Sequence, residues 1–228
     1  MTLSVIVPTL DEEARIGARL RELAVRRVDE VIVADGGSRD ETVGVARAHP
    51  GVRVVGAPRG RGQQLNAGAR AAVGDVLLFL HADTELPEDV RTWVERTLVD
   101  ARVVAGAFRV RTVADAGRRN WLGPFLRIAD IRSHVTRLPY GDQALFVRRE
   151  AFERVGGFPD EPLMEDVDLV RRLRRIGRVV TVPAYVRASG RRFLRHPITG
   201  TLAMWTFPTL HRIGVPPRVL ARLYRNVR

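Results

Sequence analysis

The chain has 228 residues, which is enough for one sizeable domain with its own hydrophobic core. It contains no cysteine and no lysine, which excludes disulfides, zinc-thiolate sites, thiol nucleophiles, a Walker-type phosphate-binding lysine and Schiff-base chemistry. The net charge of +12 is uneven, because residues 1–168 contain 24 Arg and 26 acids whereas residues 169–228 contain 14 Arg and no acid. The basic part can meet nucleic acid, an anionic membrane surface or a substrate diphosphate, and the alternative is a solvated basic face, which is the commonest explanation of any one arginine.

The first half alternates short apolar runs with amphipathic segments. The apolar runs predict strands at residues 3–8, 29–34, 52–55 and 76–80. Amphipathic spacing between them predicts helices, the first of which carries Ile16, Leu20 and Leu23. This alternation is typical of βαβ units with right-handed crossovers, so we expect an α/β fold with a mostly parallel sheet, of a nucleotide-binding type.

The second half is less regular. Its apolar runs predict strands at residues 103–110, 144–147 and 178–182. Its helical patterns lie at residues 87–100, 117–136, 164–176, 199–213 and 217–227. No internal repeat or low-complexity linker interrupts the chain, so we expect a single domain over residues 1–228.

No apolar run reaches the length of a membrane span, and the sequence opens on a predicted strand without the basic segment of a signal peptide. We therefore expect a cytoplasmic protein. Peripheral contact of the basic tail with the inner face of the cell membrane is an open alternative.

Polar residues follow the fourth predicted strand, where ligands bind in open α/β sheets. His81 and Asp83 are two residues apart, so their side chains point the same way and can face one metal ion or ligand group, with Glu85 as a third candidate. The alternative is that Thr84 or Asp83 caps the helix predicted from residue 87. The sequence favours neither interpretation.

Two other strand–helix junctions carry candidate binding groups. Asp35 precedes two glycines, so a planar group can approach the backbone while the carboxylate accepts from an N–H or a ribose hydroxyl. Arg61 lies in a glycine-rich helix start, which can bind phosphate. Asp11 and Ser38 are more simply interpreted as helix caps.

An acidic cluster opens the helix predicted at residues 164–176. Asp166 shares a helix face with Val170 and Leu173, so it points inward and is a candidate general base. Asp168 lines up instead with Arg171 and its neighbours, which predicts a surface ion pair. Helix capping remains the alternative for the acidic pair at the helix start.

Arginine is dense after the last predicted strand. Arg191 and Arg192 can fold over a diphosphate, and His196 can lend a metal ligand, although a lone histidine is more often structural.

Five motifs occur in a fixed order over most of the chain up to about residue 176. They are Val7-Pro8-Thr9-Leu10-Asp11-Glu12, Ala34-Asp35-Gly36-Gly37-Ser38, Leu65-Asn66-Ala67-Gly68-Ala69, Leu80-His81-Ala82-Asp83-Thr84 and Met164-Glu165-Asp166-Val167-Asp168. Together they resemble the family 2 glycosyltransferases, which implies the GT-A fold, a three-layer α/β/α arrangement. The length and the stretch Gly141-Asp142-Gln143 are similar to a bacterial subgroup labelled arsenosugar-biosynthesis glycosyltransferases.

The resemblance implies roles for the donor-side residues. The nucleobase and ribose would contact Pro8, Thr9, Glu12 and Asp35. The diphosphate would lie against Ala82 and Asp83 and against the arginines already named at positions 61, 191 and 192, with Mg²⁺ or Mn²⁺ held by Asp83, and with His81 and His196 as further ligands. His81 replaces the first Asp of the usual Asp-x-Asp, and Gly36 replaces the second Asp of Asp-Asp-Gly-Ser.

For the acceptor, the resemblance implies contacts with Gly141, Asp142, Gln143 and Glu165. Asp166 would accept the proton of the acceptor hydroxyl, and the anomeric carbon would be inverted. Residues 1–100 would bind the nucleotide sugar, residues 101–196 would bind the acceptor and carry the base, and residues 197–228 would form a basic helical tail. The donor class suggested by the family is a UDP-sugar.

Three other functions compete with this hypothesis. A nucleotidyltransferase needs a basic triphosphate loop after the first strand, but residues 9–13 are acidic. A nucleic-acid-binding protein is suggested by charge alone, without interleaved aromatic residues, so we expect no nucleic acid partner. A catalytically weak, membrane-associated scaffold is compatible with His81 and Gly36 and with the basic, amphipathic tail.

Overall fold

A computed structural model describes residues 1–113, 141–190 and 197–227. The strands are β1 (Leu3–Thr9), β2 (Glu30–Asp35), β3 (Val52–Gly56), β4 (Val76–Phe79), β5 (Thr84–Glu85), β6 (Val103–Val113), β7 (Phe146–Arg148) and β8 (Arg178–Ser189). The helices are α1 (Glu13–Val25), α2 (Thr42–Arg47), α3 (Arg61–Ala71), α4 (Val90–Leu98), α5 (Arg149–Arg154), α6 (Glu165–Ile176), α7 (Pro197–Arg212) and α8 (Pro217–Val227), and a 3₁₀ turn spans Gly141–Gln143.

The strands form an eight-stranded sheet in the order β3-β2-β1-β4-β7-β6-β8-β5. Strands β1 to β4 pair in parallel with one another, and β6 pairs in parallel with β8. Strand β7 lies antiparallel between β4 and β6. The expected α/β fold with a mostly parallel sheet is therefore confirmed, and the carboxyl ends of β1, β2 and β4 lie at one edge.

Alternating side chains of the strands divide the core into two layers. Val5 and Val7 belong to a cluster with apolar residues of α1, α2 and α4. Ile6 points to the other face and belongs to a cluster with apolar residues of α3, α5 and α6. Both faces of the sheet are covered by helices, so the arrangement has the three layers expected of the fold.

Close packing of α3 on the sheet matters for the site. A Cβ atom at Gly68 would lie 2.4 Å from Ile6 Cγ2, so only glycine allows α3 to approach β1 this closely. Gln64 lies one helical turn before Gly68 and is thereby brought against the ends of β1 and β2.

Several predicted boundaries were wrong. The last strand was expected to end at Val182, but β8 continues to Ser189 because its register against β6 steps from Thr181 to Tyr185. Pro183 lies within that irregular step, where no ladder hydrogen bond is required of it. Strand β6 likewise runs beyond its expected end at residue 110.

Other elements were shorter than expected or were not predicted at all. The helix expected at residues 87–100 spans only α4, and the strand expected at 144–147 is β7. Helix α5 and the two-residue strand β5 were not predicted, because both are too short to show a period in the sequence. The helical segment predicted at 117–136 lies outside the described residues.

Helices α7 and α8 pack on each other, with the ring centroids of Phe207 and Tyr224 6.2 Å apart. Phe207 and Leu220 form a small apolar cluster with Leu163 and Met164, just before α6. Among the helices within the described ranges, none combines the length and the apolar character needed to cross a bilayer.

Candidate active site

Asp35, at the carboxyl end of β2, is buried and fully engaged with neutral donors. Its Oδ1 accepts hydrogen bonds from Ser38 Oγ at 2.5 Å and Thr9 Oγ1 at 3.2 Å, and its Oδ2 accepts from the N–H groups of Gly37 at 2.9 Å and Ser38 at 3.0 Å. Burial disfavours the charged form, but these hydrogen bonds outweigh burial and lower the pKa of Asp35. Thr9 and Asp35, predicted to bind the same nucleoside, therefore lie in direct contact.

Gln64 ties the ends of β1 and β2 together. Its Nε2 donates to the carbonyl oxygens of Thr9 at 2.6 Å and Ala34 at 3.1 Å, and its side chain is buried. A Cβ atom at Gly36 would lie 2.9 Å from the Gln64 amide. The glycine that replaces the family's second aspartate therefore leaves the space that Gln64 occupies.

The first turns of α1 and α2 are hydrogen-bonded to each other at the same edge of the sheet. The N–H of Glu12 donates to Thr42 Oγ1 at 2.8 Å, and the N–H of Glu13 donates to Asp40 Oδ2 at 3.1 Å. Neither helix has a capping hydrogen bond from its own N-cap side chain. The interpretation of Asp11 as a helix cap was therefore wrong, since its Oδ1 accepts from the N–H of Arg39 at 2.8 Å, between the two loops.

Ser38 was also interpreted as a helix cap, and this too was wrong. Its Oγ accepts from the N–H of Asp11 at 3.0 Å and donates to Asp35. Ser38 thus connects the loop after β1 to the buried carboxylate, while Pro8 and Glu12 flank the same loop and lie partly exposed.

His81 and Asp83 lie beyond β4, next to the end of β1, since the N–H of Leu80 donates to the carbonyl oxygen of Ile6 at 2.9 Å. Both side chains are partly exposed. Thr84 belongs to β5, which pairs with β8, and α4 begins only at Val90. The alternative that Asp83 or Thr84 caps this helix was therefore wrong.

The buried Arg19 approaches this segment from α1. Its pKa is lowered by burial, while the carboxylates of Glu85 and Asp83 act in the opposite direction. Arg19 is paired with Glu22, whose Oε1 also accepts from the N–H of Leu86 at 2.9 Å. A positive charge is thus held close to Asp83 by helix α1.

The candidate metal-ligating side chains near Asp83 suit a metal ion that is also bound by the substrate. No group of three or more His, Asp and Glu side chains that could hold a metal occurs in residues 1–113, 141–190 and 197–227. Asp83 and His81 offer a carboxylate and an imidazole, and Mg²⁺ is commonly bound by one or two carboxylates together with substrate phosphates. The residues therefore fit a cation completed by a diphosphate, and His196, Arg191 and Arg192 lie outside the described residues.

A second cluster joins the starts of α3 and α6. Arg61 forms ion pairs with Glu165 and with Asp166, the latter at 3.6 Å. Burial opposes the charge of the guanidinium, but the carboxylates of Glu165, Asp166 and Asp142 raise the pKa of Arg61 well above its usual range. Arg61 was predicted to bind phosphate, and in the structure its charge is turned towards these acids.

The acidic pair itself is almost withdrawn from water. Glu165 is 2% exposed and Asp166 is 7% exposed, and Asp166 shares its inward face with the buried Val170 and Leu173. The N-cap of α6 is Met164, which makes no side-chain capping hydrogen bond. The expectation that Asp166 points inward is confirmed, and capping does not explain Glu165.

The loop before α6 is fastened to α3. The Asn66 side chain accepts from the N–H of Phe158 and donates to its carbonyl oxygen, both at 2.9 Å. A Cβ atom at Gly62 would lie 2.9 Å from the carbonyl oxygen of Pro159. These contacts fix the distance between Arg61 and the acidic pair.

The predicted acceptor residues meet the same cluster in part. Gln143 is buried and donates to the carbonyl oxygen of Phe108 at 2.9 Å, so it anchors the 3₁₀ turn to β6. Asp142, in the same turn as Gly141, is close enough to Arg61 to raise its pKa. The turn therefore lies beside the acidic pair.

Asp168 was predicted to form a surface ion pair, which is confirmed by a distance of 3.2 Å from its Oδ1 to Arg171. It has a second partner that was not predicted, since His211 Nε2 lies 2.9 Å from both of its carboxylate oxygens. Asp168 thus links α6 to α7.

The family model for glycosyl transferase family 2 matches residues 4–156. The chain belongs to this family. The chain is 35% identical over 94 residues to a glucosyl-3-phosphoglycerate synthase of Mycolicibacterium paratuberculosis, and the match covers 36% of this chain and 28% of the relative. It is 27% identical over 225 residues to a beta-monoglucosyldiacylglycerol synthase of Synechocystis, covering 88% of this chain and 45% of the relative.

A solved structure supports the GT-A fold of this family 2 member. The glucosyl-3-phosphoglycerate synthase of Mycobacterium tuberculosis, in complex with Mn²⁺, UDP-glucose and phosphoglyceric acid, superposes with a TM-score of 0.60 and 25% identity. The match covers 94% of this chain and 80% of that one. The chain spans between about a quarter and a half of the length of the curated relatives it matches.

Sequence analysis did not identify two residues of the candidate site, Arg19 and Gln64, although the sequence contains a signal for each. Arg19 lies three residues after Ile16 and one before Leu20, so it is a charged residue on an apolar helix face. Gln64 lies on the same buried face of α3 as Gly68. A polar side chain on a core-facing stripe needs a partner. Arg19 pairs with Glu22 of the same helix, and Gln64 donates to carbonyl oxygens at the ends of β1 and β2.

Proposed function

We propose that this chain transfers a sugar from a nucleoside diphosphate sugar to an acceptor hydroxyl, with inversion at the anomeric carbon. The observation that carries the proposal is the buried pair of Glu165 and Asp166, held by Arg61 beside the ligand-binding edge of the sheet. The UDP-glucose and Mn²⁺ bound by the Mycobacterium tuberculosis enzyme support a UDP-sugar as donor and a divalent cation as cofactor.

On the donor side, Pro8, Thr9 and Glu12 supply the contacts to the nucleobase and ribose. Asp35 already accepts four hydrogen bonds from the protein, so its main contribution is to order Gly37 and Ser38 beside the nucleoside. Arg191 and Arg192 contact the diphosphate, and Ala82 lies against it between His81 and Asp83.

On the acceptor side, Asp166 takes the proton of the attacking hydroxyl. The acceptor oxygen forms a bond to the anomeric carbon, the bond from that carbon to the diphosphate breaks, and the nucleoside diphosphate leaves with the electron pair. Glu165, Asp142 and Gln143 orient the acceptor, with Gly141 giving the backbone access. Arg61 stabilises the charge of the acidic pair before proton transfer.

A Mg²⁺ or Mn²⁺ ion would be held by Asp83, with His81 and His196 as further ligands, and it would neutralise the charge that develops on the leaving diphosphate. Arg19 supports this end of the site by balancing the negative charge of Asp83 and Glu85.

The division of labour follows the chain. Residues 1–100 bind the donor, residues 101–196 bind the acceptor and carry the base, and residues 197–228 form a basic helical tail, all within a single domain. The arsenosugar-biosynthesis subgroup stays a prediction.

The first test is a thermal-shift panel of UDP, GDP, CDP and dTDP with and without Mn²⁺. A ligand at a hundredfold excess over its Kd stabilises the folded state by about 2.7 kcal/mol, which corresponds to roughly 5–10 °C for a chain of this size. We expect such a shift with UDP, dependent on Mn²⁺ and lost in Asp83→Ala.

The matched control is Asp89→Ala, an exposed aspartate six residues further on whose side chain makes no capping hydrogen bond. It should keep the full shift. If no nucleotide shifts the wild type, the proposed transfer activity is wrong, and the scaffold hypothesis takes its place.

A further inference from the structure

Helices α7 and α8 leave large apolar side chains in water. Of the nine exposed large apolar residues within the described ranges, five lie in residues 197–227. They are Leu202, Trp205, Ile213, Val219 and Leu223, which are 40–73% exposed. The other four are scattered over the first 99 residues, as is normal for a folded surface. Their concentration on two helices and the turn between them therefore needs an explanation.

On α7 these residues share one side of the helix. Leu202 and Trp205 are three residues apart. Ile213 lies in the turn directly after α7 and continues the same side, since its N–H donates to the carbonyl oxygen of Thr209 at 3.1 Å, as in a helix. Phe207 points the opposite way and is 7% exposed. The buried side of α7 is thus already occupied by the protein, and the apolar exposed side is a separate surface.

Helix α8 also exposes apolar side chains. Val219 and Leu223 are four residues apart and exposed, whereas Leu220 is completely buried against the protein. Arg218 and Arg222, also four residues apart, lie exposed beside the apolar pair. We call the exposed residues Leu202, Trp205, Arg212, Ile213, Arg218, Val219, Arg222 and Leu223 the apolar-basic face.

Charge identifies what the apolar-basic face meets. Arg171, Arg178 and Arg187 pair with acids elsewhere in the chain. The apolar-basic face carries three exposed arginines, Arg212, Arg218 and Arg222, and helices α7 and α8 contain no acidic residue. Nucleic acid would satisfy the arginines but would leave the leucine, isoleucine and valine side chains in water. Anionic lipid headgroups with acyl chains beneath them satisfy both. We propose that the apolar-basic face docks on an anionic phospholipid surface.

Docking would place the acidic pair near the membrane. Phe207 and Leu220 pack on Leu163 and Met164, and Met164 directly precedes the pair. The contact between His211 and Asp168 fastens α7 to α6 at 2.9 Å. On the basis of the proposed function, the acceptor is then a hydroxyl carried at the lipid surface. The docking itself does not depend on transfer activity.

Vesicle co-sedimentation of the full chain tests the docking directly. We expect binding to vesicles that contain phosphatidylglycerol, weakening with salt, and little binding to phosphatidylcholine alone. Arg218→Gln with Arg222→Gln should weaken binding about 30-fold, because each arginine near an anionic surface contributes about a factor of five. Trp205→Ser with Leu223→Ser should weaken it at least about tenfold.

Matched variants elsewhere on the surface separate docking from general charge and hydrophobicity. Arg27→Gln with Arg47→Gln removes the same charge, and Val25→Ser with Val99→Ser removes exposed apolar groups outside the face. Both should bind vesicles as the wild type does, and all four variants should melt within a few degrees of it.

The docking proposal is overturned by three results. One is equal binding of the wild type to vesicles that contain phosphatidylglycerol and to vesicles of phosphatidylcholine alone. Another is equal weakening by the control variants. The third is evidence that the apolar-basic face has another partner, seen as RNA binding in a gel shift or as dimer formation in a sedimentation experiment. A protein that docks but shows no nucleotide shift would contradict the proposed function and leave the docking intact.

Discussion

Asp35 and Asp166 are equally buried, each 7% exposed, but only Asp166 has a charged partner among the contacts described above. Asp35 accepts four hydrogen bonds from uncharged donors at the end of β2. Asp166 accepts one hydrogen bond from a neutral donor, the N–H of Val167 at 2.8 Å, and shares one guanidinium, that of Arg61, with Glu165. The neutral donors favour a carboxylate that stays ionised and fixed, which suits a group that orders a binding loop. One guanidinium that pairs with two carboxylates can stay with Glu165 when Asp166 takes up a proton, which suits proton transfer.

The largest expected effect is on catalysis through Asp166. Asp166→Asn removes the proton acceptor but keeps the size of the side chain, so kcat should fall by about 10²–10⁴-fold while the Kd of the nucleotide changes little. The kcat is measured from the release of nucleoside diphosphate, and the Kd of the nucleotide is measured by calorimetry, so the two effects are separated.

Asp168→Asn is the matched control, since it is the same substitution two residues further along α6, on the side that faces Arg171 and His211. It should keep wild-type kcat with a soluble acceptor. NMR of the product made by the wild type should show an inverted anomeric centre, and a retained configuration would refute Asp166 as the base of a single displacement.

A smaller effect is expected on stability through Asp35. Asp35→Asn replaces an oxygen that accepts hydrogen bonds with a donor, so the free energy of unfolding at pH 7 should fall by about 1–3 kcal/mol, measured in urea. The pKa of Asp35 is lowered from 3.8 in the folded state, so its stabilising contribution is present above that pH and is lost as pH falls through the folded pKa.

The difference between wild type and Asp35→Asn should therefore shrink in urea titrations below pH 3.8. Asp100→Asn is the comparison variant, because Asp100 also has a lowered pKa, from hydrogen bonds to Arg102, but lies at the surface. A pH-independent difference for Asp35→Asn would contradict the assignment of its ionised state.

The smallest effect concerns the space between Gly36 and Gln64. In Gly36→Ala the new Cβ displaces the Gln64 amide, which loses its hydrogen bonds to Thr9 and Ala34, at a cost of about 1 kcal/mol. The loss should be smaller in a Gln64→Ala background, giving a coupling energy of at least about 0.5 kcal/mol.

Gly56→Ala, at the end of β3 where a Cβ meets no atom within 4 Å, controls for the intrinsic effect of replacing glycine. Additive effects of Gly36→Ala and Gln64→Ala in the urea measurements would show that the two positions are independent.

The sequence by itself determined the parallel half of the sheet and the edge at which the candidate binding residues meet. Continuous apolar runs such as residues 76–80 are clear signals of buried strands, and the side chains that follow them must meet where parallel strands end. The inward direction of Asp166 was also determined locally, because helical spacing relates it to Val170 and Leu173.

Only the tertiary structure decided which charges meet. Arg61 and Glu165 are 104 residues apart in sequence, and no local pattern relates them. The same holds for Gln64 against the ends of β1 and β2, and for His211 against Asp168. Sequence periodicity fixes which way a side chain points from its own helix or strand. Its partner depends on how those elements pack, and close approaches such as that of Gly68 to Ile6 set that packing.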